Sequence, residues 1–498
     1  MKVSKDYQDL PNWRFFLWVI ISSTIASYHP LKGSEGPSRL NKLESLNLSS
    51  NYLNDSTLSF LKGLSSLKYL YLDYNQLYGS INTKEFDSLS NLKVLSLFRN
   101  KIQDFVTLTE IDSLSKLEVL SLSKNSIHSF SKSRENTGFS NLSILYLDYV
   151  FSEARVFILQ SLSAFPNLKV LSMRYYDLFN IHGQGILPNL KFLERLDLTE
   201  SSLVNYNFFQ TVGKFTSLKS LILPNSGLSG PISAPHGLCE LKHLHELDIS
   251  HNDLNGSLPS CLLNLTNLQA LDISFNNFTG NISLSPIGSL VSIQDLNISD
   301  NHFQIPISLG PFFNLSKLKH LNGDRNEIYE STELVHNLIP RFQLQRLSLA
   351  CTGSGGTFPK SLYYQHDLQF VDLSHIKMTG EFPSWLLQNN TKLEGFYLVN
   401  NSLSGSFQLA NHSLVRLSHL DISRNRIYNQ IPTEIGACFP SVAHNNLSGK
   451  IPEMVAQFST FKKSTYEENP LLCGPPLTNN CFGEISPSSL SWYQTDIF

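Results

Sequence analysis

The chain has 498 residues, more than one ordinary domain requires, and its 41% hydrophobic content is enough to build a packed core. Its formal net charge is −3, from 38 basic and 41 acidic residues, and this balance argues against a nucleic-acid partner. Six cysteines are too few for a disulfide framework, so side-chain packing must provide most of the stability.

An apolar segment lies near the N-terminus. Residues 15–26 read FFLWVIISSTIA and follow Lys2, Lys5 and Arg14. A membrane helix needs about 20 apolar residues, so this shorter run predicts a secretory signal peptide over residues 1–27. The alternative is a leftover segment with no targeting role. Residues 28–39 form a short lead-in to the pattern that follows.

A repeat with a spacing of 24 to 26 residues organises most of the chain. Its template is LxxLxxLxLxxNxL. The first position of the template falls at Leu40, Leu64, Leu89, Leu114, Phe139, Phe165, Leu190, Phe215, Leu241, Leu265, Leu290, Leu315, Arg341, Gln365, Asn390 and Leu414. These sixteen turns cover residues 40–433 and predict a stack of equivalent structural units.

The physical chemistry of one turn follows from the template. The two leucines of LxL face the same side of a short strand, and a single turn cannot bury them alone. Stacked turns do bury them, and their strands then pair in parallel at a spacing of about 4.8 Å. The asparagine that follows each strand has an amide suited to bonding the backbone of adjacent turns. The repeat therefore predicts a solenoid built around a parallel sheet.

The second half of several turns carries the pattern LxGxIP. Examples are LNGSLP at Leu254–Pro259, MTGEFP at Met378–Pro383 and LSGKIP at Leu447–Pro452. Glycine permits positive φ and proline ends ladder pairing, so the backbone leaves the strand there. This pattern resembles the plant-specific class of leucine-rich repeats. Residues 40–482 are similar to the extracellular part of plant leucine-rich-repeat receptor-like proteins, and NPLLCGPPLTNNC at Asn469–Cys481 resembles that family's C-terminal cap.

The resemblance implies a fold and a function. The fold is an α/β repeat solenoid, a plant-type leucine-rich-repeat arc with a parallel β-sheet on its concave face. The function is extracellular recognition of a peptide or protein ligand in defence or development signalling, without catalysis or a cofactor. The chain would enter the secretory pathway and act outside the cell or at the plasma membrane, with a receptor kinase as co-receptor. Cys473 and Cys481 would form a disulfide in the cap.

Three features depart from the family's pattern. No cysteine- and tryptophan-containing cap precedes Leu40, and no membrane-spanning helix follows the cap-like segment 453–482 in the tail 483–498. Residues 434–452 form an irregular partial repeat, because EIGACFPSVAHN at Glu434–Asn445 is too short for a complete turn. We interpret this segment as a deletion junction and expect the repeat to be interrupted between Glu434 and Asn445. A natural irregular insert is the alternative.

The remaining cysteines divide into two kinds. Cys239 and Cys261 lie in adjacent turns, two positions out of equivalence. Adjacent turns are close enough for a disulfide, and buried thiols are the alternative. Cys351 and Cys438 have no evident partner, and Cys438 lies in the predicted junction.

Thirteen N-x-S/T sequons predict N-linked glycans on a secreted chain, although an Asn- and Ser-rich repeat also generates sequons by chance. They are Asn47, Asn54, Asn141, Asn255, Asn264, Asn277, Asn281, Asn297, Asn314, Asn389, Asn400, Asn411 and Asn446. Between Asn54 and Asn255 only Asn141 qualifies. A glycan blocks the surface that it covers, so this interval is predicted to be the least shielded.

The same interval carries large side chains at positions expected to face outward from the strands. In turns two to six these are Tyr71, Tyr74, Phe98, Arg99, Tyr146, Tyr149, Arg174 and Tyr175. The turn asparagine is replaced in turns five to eight by Val150, Tyr176, Ser201 and Ser226. Aromatic residues and arginine anchor many interfaces, so we predict a ligand-binding surface here. The alternative is that exposed tyrosines are simply common on sheets.

Enzymatic and metal sites are not predicted. The glycine-rich stretch GSGGTF at Gly353–Phe358 lacks a phosphate-binding pattern and falls where a repeat turn belongs. His243 and His245 alternate about a leucine, but their spacing fixes no third metal ligand. Two alternatives to the receptor interpretation stay open: a secreted leucine-rich-repeat inhibitor of a microbial enzyme, and the non-functional product of a decayed receptor gene.

Overall fold

A computed structural model of the chain describes most of the repeat region. The described residues are 42–82, 86–107, 114–132, 139–150, 155–176, 187–188, 190–203, 208–232, 237–330, 339–350, 353–408, 416–433, 439–452 and 462–481. They belong to two compact units, Met1–Asn255 with Pro259–Ala270, and Gly256–Leu258 with Leu271–Phe498. The predicted signal peptide 1–27, the lead-in 28–39, Leu40 and the tail 483–498 lie outside the described residues.

The main strands of the first unit are three residues long and centred on the first leucine of LxL. They are Ser45–Asn47, Tyr69–Tyr71, Val94–Ser96, Val119–Ser121, Ile144–Tyr146, Val170–Ser172, Arg195–Asp197, Ser220–Ile222 and Glu246–Asp248. Each pairs in parallel with the next, so Leu46 lies opposite Leu70 and Leu70 opposite Leu95. These leucines are buried, which explains why an apolar residue recurs at this strand position.

The second unit follows the same plan. Its main strands are Asp295–Asn297, His320–Asn322, Arg346–Ser348, Phe370–Asp372, Gly395–Tyr397, His419–Asp421 and Phe439–Ser441, and the strand Ala270–Asp272 contains the boundary between the units. Leu321 lies opposite Leu347, and Leu347 opposite Val371. The predicted α/β leucine-rich-repeat solenoid with a parallel sheet is thereby confirmed for this fold.

A second set of short strands follows the turn asparagines. In the first unit these are Tyr78–Asn82, Lys101–Thr107, Ser129–Lys132, Ser229–Pro231 and Asp253–Gly256, the last of which ends at the boundary. In the second unit they are Asn277–Asn281, His302–Pro306, Glu327–Tyr329, Gly353–Ser354, Thr379–Glu381, Ser402–Ser404, Tyr428–Asn429, Asn446–Lys450 and Leu471–Cys473. Gly353 therefore belongs to a strand and not to the turn that the sequence predicted.

The return segments that complete each turn contain few α-helices. The α-helices are Arg155–Ser161, Phe208–Val212 and Ser384–Asn389, and the 3₁₀ helices are Asp55–Leu61, Leu162–Ala164, Leu238–Glu240, Ser260–Asn264, Ile282–Leu284, Pro286–Ser289, Gly310–Phe312, Lys360–Tyr364 and Lys463–Thr465. Among the described residues, no helix is long and apolar enough to cross a membrane.

The turn asparagine bonds the backbone of successive turns, as its position predicted. The Nδ2 of Asn75 donates to the carbonyls of Leu48 and Leu72, at 3.0 Å each, and its Oδ1 accepts from the Leu53 amide at 3.0 Å. The equivalent bonds recur at Asn100, Asn125, Asn252, Asn301, Asn326, Asn401, Asn425, Asn445 and Asn469. These buried or half-buried amides tie their strand ends to the preceding turn.

The expected interruption between Glu434 and Asn445 is not seen from Phe439 onward. The strand Phe439–Ser441 pairs with His419–Asp421, and Pro440 occupies the inward position opposite Leu420. The Oδ1 of Asn445 accepts from the Ile427 amide at 3.0 Å, as in a regular turn. The prediction of an interruption was therefore wrong for residues 439–445, because strand pairing needs only three residues in register. Residues 434–438 lie outside the described residues, and the deletion interpretation stays a prediction.

Candidate functional site

The predicted binding residues occupy two kinds of position in the first unit. Tyr71 and Tyr146 are the last residues of their strands, as expected. The other six follow the strands, so their assignment to strand positions was wrong. The physical reason is that each strand ends after three residues and the chain then turns. Tyr74 has a φ of 53° and Tyr149 a φ of 55°, in the left-handed region.

This left-handed position recurs in successive turns and is held by the backbone. The amide of Tyr74 donates to the Phe98 carbonyl at 2.8 Å, and that of Arg99 donates to the Ser123 carbonyl at 2.9 Å. The amide of Tyr149 donates to the carbonyl of Arg174 at 2.8 Å. Because each residue is hydrogen-bonded to the next turn, side chains at this position line up one turn apart.

Seven side chains from this position and its neighbours form one connected series, which we call the aromatic row. It comprises Tyr74, Phe98, Arg99, Lys124, Tyr149, Tyr175 and Glu200. At its start, the ring centroids of Tyr74 and Phe98 are 5.2 Å apart. The Arg99 guanidinium lies 5.1 Å from the centre of the Tyr74 ring, and the Lys124 ammonium lies 5.6 Å from that of Phe98.

The second half of the aromatic row continues without a break. The Lys124 ammonium also lies 4.6 Å from the Tyr149 ring centre, so it joins the two halves. Tyr149 and Tyr175 stack with centroids 3.9 Å apart. The Tyr175 hydroxyl donates to Glu200 at 2.8 Å. Hydrogen bonding with Tyr149, and then with Glu200, raises the pKa of Tyr175 well above its usual range, so the phenol stays protonated.

Arg174 lies beside the aromatic row but is already paired. Its Nε donates to Asp148 Oδ2 at 3.3 Å, and Asp197 Oδ2 lies 3.9 Å away. Asp148 also accepts from the Ser172 hydroxyl at 2.6 Å. Burial raises the pKa of Tyr146, and the Asp148 carboxylate is the next cause. The polar cluster fixes the arginine in place before any ligand arrives.

Sequence reasoning missed Lys124 and Glu200, although both stand at the repeat position of Tyr74 and Tyr149. Aligning the turns by the template would have identified them, because the contacts join equivalent residues of adjacent turns. The replacement of the turn asparagine has a different meaning from the one predicted. The Ser201 hydroxyl donates to the Met173 carbonyl at 2.7 Å and the Ser226 hydroxyl to that of Leu198 at 2.6 Å. In turns seven and eight serine therefore performs the structural task of asparagine.

A second aromatic patch, in the second unit, was not predicted. The Arg346 guanidinium lies 4.1 Å from the centre of the Phe370 ring, and Phe370 and Tyr397 have centroids 5.4 Å apart. Gly395 leaves room for both rings, since a Cβ there would lie 2.9 Å from the Phe370 ring. Burial raises the pKa of Tyr397, with Asp372 as the next cause.

Most sequon asparagines are described, and Asn411 lies outside the described residues. Asn47 and Asn297 are the last residues of their strands. The Nδ2 of Asn297 donates to Asp272 at 2.8 Å and to Ser274 at 3.2 Å. A glycan at Asn297 would replace one amide hydrogen and so displace at least one of these bonds.

The cysteines form two disulfides among the described residues. Cys239 and Cys261 are joined, with Cα atoms 5.7 Å apart, and Cys473 is joined to Cys481, with Cα atoms 5.1 Å apart. Cys351 and Cys438 lie outside the described residues. Within the described ranges, no group of three or more His, Cys, Asp or Glu side chains is arranged to hold a metal ion.

Comparison with known proteins agrees with the repeat architecture. The family described as leucine-rich repeat region matches residues 180–458, and the family described as leucine rich repeat matches residues 41–102. A leucine-rich-repeat protein of Leptospira interrogans, 25% identical, has a similar fold with a TM-score of 0.55, covering 83% of this chain and 93% of that one.

The curated relatives are plant proteins. Cuscuta receptor 1 of Solanum lycopersicum is 36% identical over 245 residues, which cover 49% of this chain and 22% of the relative. Receptor-like protein 1 of Arabidopsis thaliana is 33% identical over 232 residues, which cover 45% of this chain and 21% of the relative. The matched region thus spans about a fifth of each relative's length. These similarities confirm the resemblance to plant receptor-like proteins that the sequence predicted.

Proposed function

The chain belongs to the leucine-rich-repeat family, and on that premise we propose that it is the extracellular recognition module of a plant cell-surface receptor-like protein. It binds a peptide or protein ligand through the aromatic row and takes part in no catalysis. It reaches the cell surface by the secretory pathway, and a receptor kinase transmits the signal. The names of its relatives, a receptor and a receptor-like protein, support this assignment.

The observation that carries the proposal is the continuity of the aromatic row through turns two to seven. Its rings and cations contact one another, so their side-chain rotamers are restricted before binding, which lowers the entropic cost of association. Stacked tyrosines such as Tyr149 and Tyr175 offer large, rigid contact areas. The aromatic row therefore has the residue types found at binding interfaces, and its side chains are already held in place before a ligand binds.

The charges of the row indicate the chemistry of the ligand. Arg99 is exposed, and its guanidinium can engage a ligand carboxylate in a bidentate way. Arg174 cannot share this role, because Asp148 and Asp197 already pair with it. We therefore assign carboxylate recognition to Arg99, supported by Lys124, and a positioning role to Arg174.

The test is a comparison of two aromatic substitutions at equivalent repeat positions. Extracellular peptides and proteins are fractionated, and binding fractions are titrated against the secreted chain by surface plasmon resonance. Tyr149→Ala should weaken binding by about 1–3 kcal/mol, or roughly 5- to 150-fold. Phe275→Ala is the matched control, because Phe275 is 41% exposed at the same left-handed position and lies 5.6 Å from an arginine, Arg325.

Phe275→Ala should leave the affinity within about twofold of the unsubstituted chain, as expected for an exposed residue outside the interface. Equal losses in the two variants would refute the assignment of the site to the aromatic row. The assignment would also be refuted if Tyr149→Ala bound the ligand as tightly as the unsubstituted chain does.

A further inference from the structure

A partly exposed aromatic pair lies on the return segments of the second unit. Trp385 belongs to the helix Ser384–Asn389, and Tyr363 belongs to the 3₁₀ helix Lys360–Tyr364 of the preceding turn. The two rings stack with centroids 3.8 Å apart, and Phe358 meets Trp385 edge-on at 6.4 Å. Tyr363 is nevertheless 48% exposed. An exposed aromatic cluster of this kind usually has a partner or a cover.

A glycosylation sequon lies on the same helix. Asn389 is exposed and stands four residues after Trp385, within the sequon Asn389-Asn390-Thr391. Residues four apart on a helix are neighbours, with Cβ atoms about 5–6 Å apart. Helical side chains also lean toward the N-terminus, so the Asn389 side chain leans toward Trp385.

The neighbouring asparagine fixes this orientation. Asn390 is only 1% exposed, and its Nδ2 donates to the Leu386 carbonyl at 3.0 Å. Its Oδ1 accepts from the Leu368 amide at 2.9 Å. Because Asn390 is held in the core, the helix cannot rotate to bury Asn389. The sequon asparagine is therefore kept at the surface beside the aromatic pair.

We propose that Asn389 carries an N-linked glycan whose first sugar packs on the exposed face of the Trp385–Tyr363 pair. The donor is a lipid-linked oligosaccharide pyrophosphate. The Asn389 Nδ2 forms a bond to the anomeric carbon of the first N-acetylglucosamine and loses one proton, while the anomeric carbon–oxygen bond to the pyrophosphate breaks and the lipid pyrophosphate leaves. The inference rests on the secretory part of the proposed function.

Two other sequons test whether the aromatic pair is specific to Asn389. Asn264 and Asn314 also stand immediately before the first position of a turn, at Leu265 and Leu315. The residue four positions earlier is Ser260 for Asn264 and Gly310 for Asn314. Of these three sequons at one repeat position, Asn389 has an aromatic neighbour at this spacing and the other two do not. A glycan at Asn264 would therefore cover no stacked ring.

The experiment uses the full chain secreted from plant cells. Peptide mass spectrometry after N-glycosidase treatment reports each modified asparagine, because the enzyme converts it to aspartate. Hydroxyl-radical footprinting then measures the oxidation rates of Trp385 and Tyr363. Thr391→Ala removes the sequon and leaves Asn389 in place, Thr391→Ser preserves the sequon, and Thr266→Ala removes the matched sequon at Asn264. Thr266 and Thr391 are both exposed, so each change is mild for folding.

Asn389 should be modified in the unsubstituted chain and in Thr391→Ser. In Thr391→Ala, Trp385 and Tyr363 should oxidise several-fold faster, while Thr266→Ala should leave their rates unchanged. An unmodified Asn389 in a chain with other glycans would overturn this inference alone. Unchanged oxidation in Thr391→Ala would overturn the packing of sugar on the rings. A chain with no glycan at all would instead contradict the secretory part of the proposed function.

Discussion

Substitution of the buried turn asparagine tests how the turns are held together, because this one side chain is hydrogen-bonded to two turns. Asn301 is 4% exposed, and its Nδ2 donates to the Ile273 carbonyl of the preceding turn at 2.9 Å. Its Oδ1 accepts from the Phe278 amide at 3.0 Å. Asn301→Ala removes both bonds. A buried group that loses its partner costs about 1–3 kcal/mol, so two such groups should cost roughly 2–6 kcal/mol.

Native-state hydrogen exchange at the Phe278 amide measures this loss where it occurs. Repeat proteins unfold in segments, so a local probe is more direct than a global midpoint. The predicted loss corresponds to exchange faster by roughly 30-fold to 25,000-fold. Asn301→Ser should have a smaller effect, because the hydroxyls of Ser201 and Ser226 make the bond to the preceding turn in their own turns.

Asn314→Ala is the control for this measurement, since Asn314 is exposed and its substitution should change stability by less than about 0.5 kcal/mol. If Asn301→Ala accelerated exchange at Phe278 no more than the control did, the asparagine bonds would not hold the turns together.

Three further predictions concern charge, cross-linking and sugar. Burial raises the folded-state pKa of Asp73 above its ordinary value of 3.8, so its contribution to stability should be lost as pH rises through 3.8 to the folded value. The urea midpoint of Asp73→Asn should not show this loss as the pH rises. If the midpoints of the variant and the unsubstituted chain changed in parallel with pH, the raised pKa of Asp73 would not be the cause. Cys239→Ser should cost about 3 kcal/mol, because the disulfide closes a loop with a sequence separation of 22, and unchanged urea unfolding would argue against the bond. N-glycosidase should lower the apparent mass of the chain made in plant cells, whereas an unchanged mass and a cytosolic location would remove the secretory assignment.

The fold follows from the sequence because one physical rule repeats. The LxL pattern must bury its leucines, and equivalent leucines of neighbouring turns then pair, as Leu46 does with Leu70. The bonds of the turn asparagine follow from its place at the strand end. The strand Phe439–Ser441 was harder to predict, since Pro440 takes the place of a leucine there. Strand pairing tolerates this exchange because the inward position needs bulk rather than a particular residue.

The candidate site could be predicted only in part. Its interval was identified from aromatic residues and sparse sequons, but the positive φ of Tyr74 and Arg99 was not. That conformation usually favours glycine or asparagine, so tyrosine and arginine give no local indication of it. The bond between turns imposes it instead. Lys124 and Glu200 were missed because neither is aromatic or an arginine, and only the alignment of the turns by the template places them beside Tyr149 and Tyr175.

The central claim is that a ligand engages the aromatic row, and hydrogen exchange of the ligand-saturated chain tests it most directly. The comparison is between the free chain and the chain incubated with an extracellular fraction that binds it. We expect slower exchange in peptides that cover residues 72–76, 97–101 and 147–150, in the first unit. Protection confined to peptides around Arg346, Phe370 and Tyr397, with no change in turns two to seven, would contradict the account.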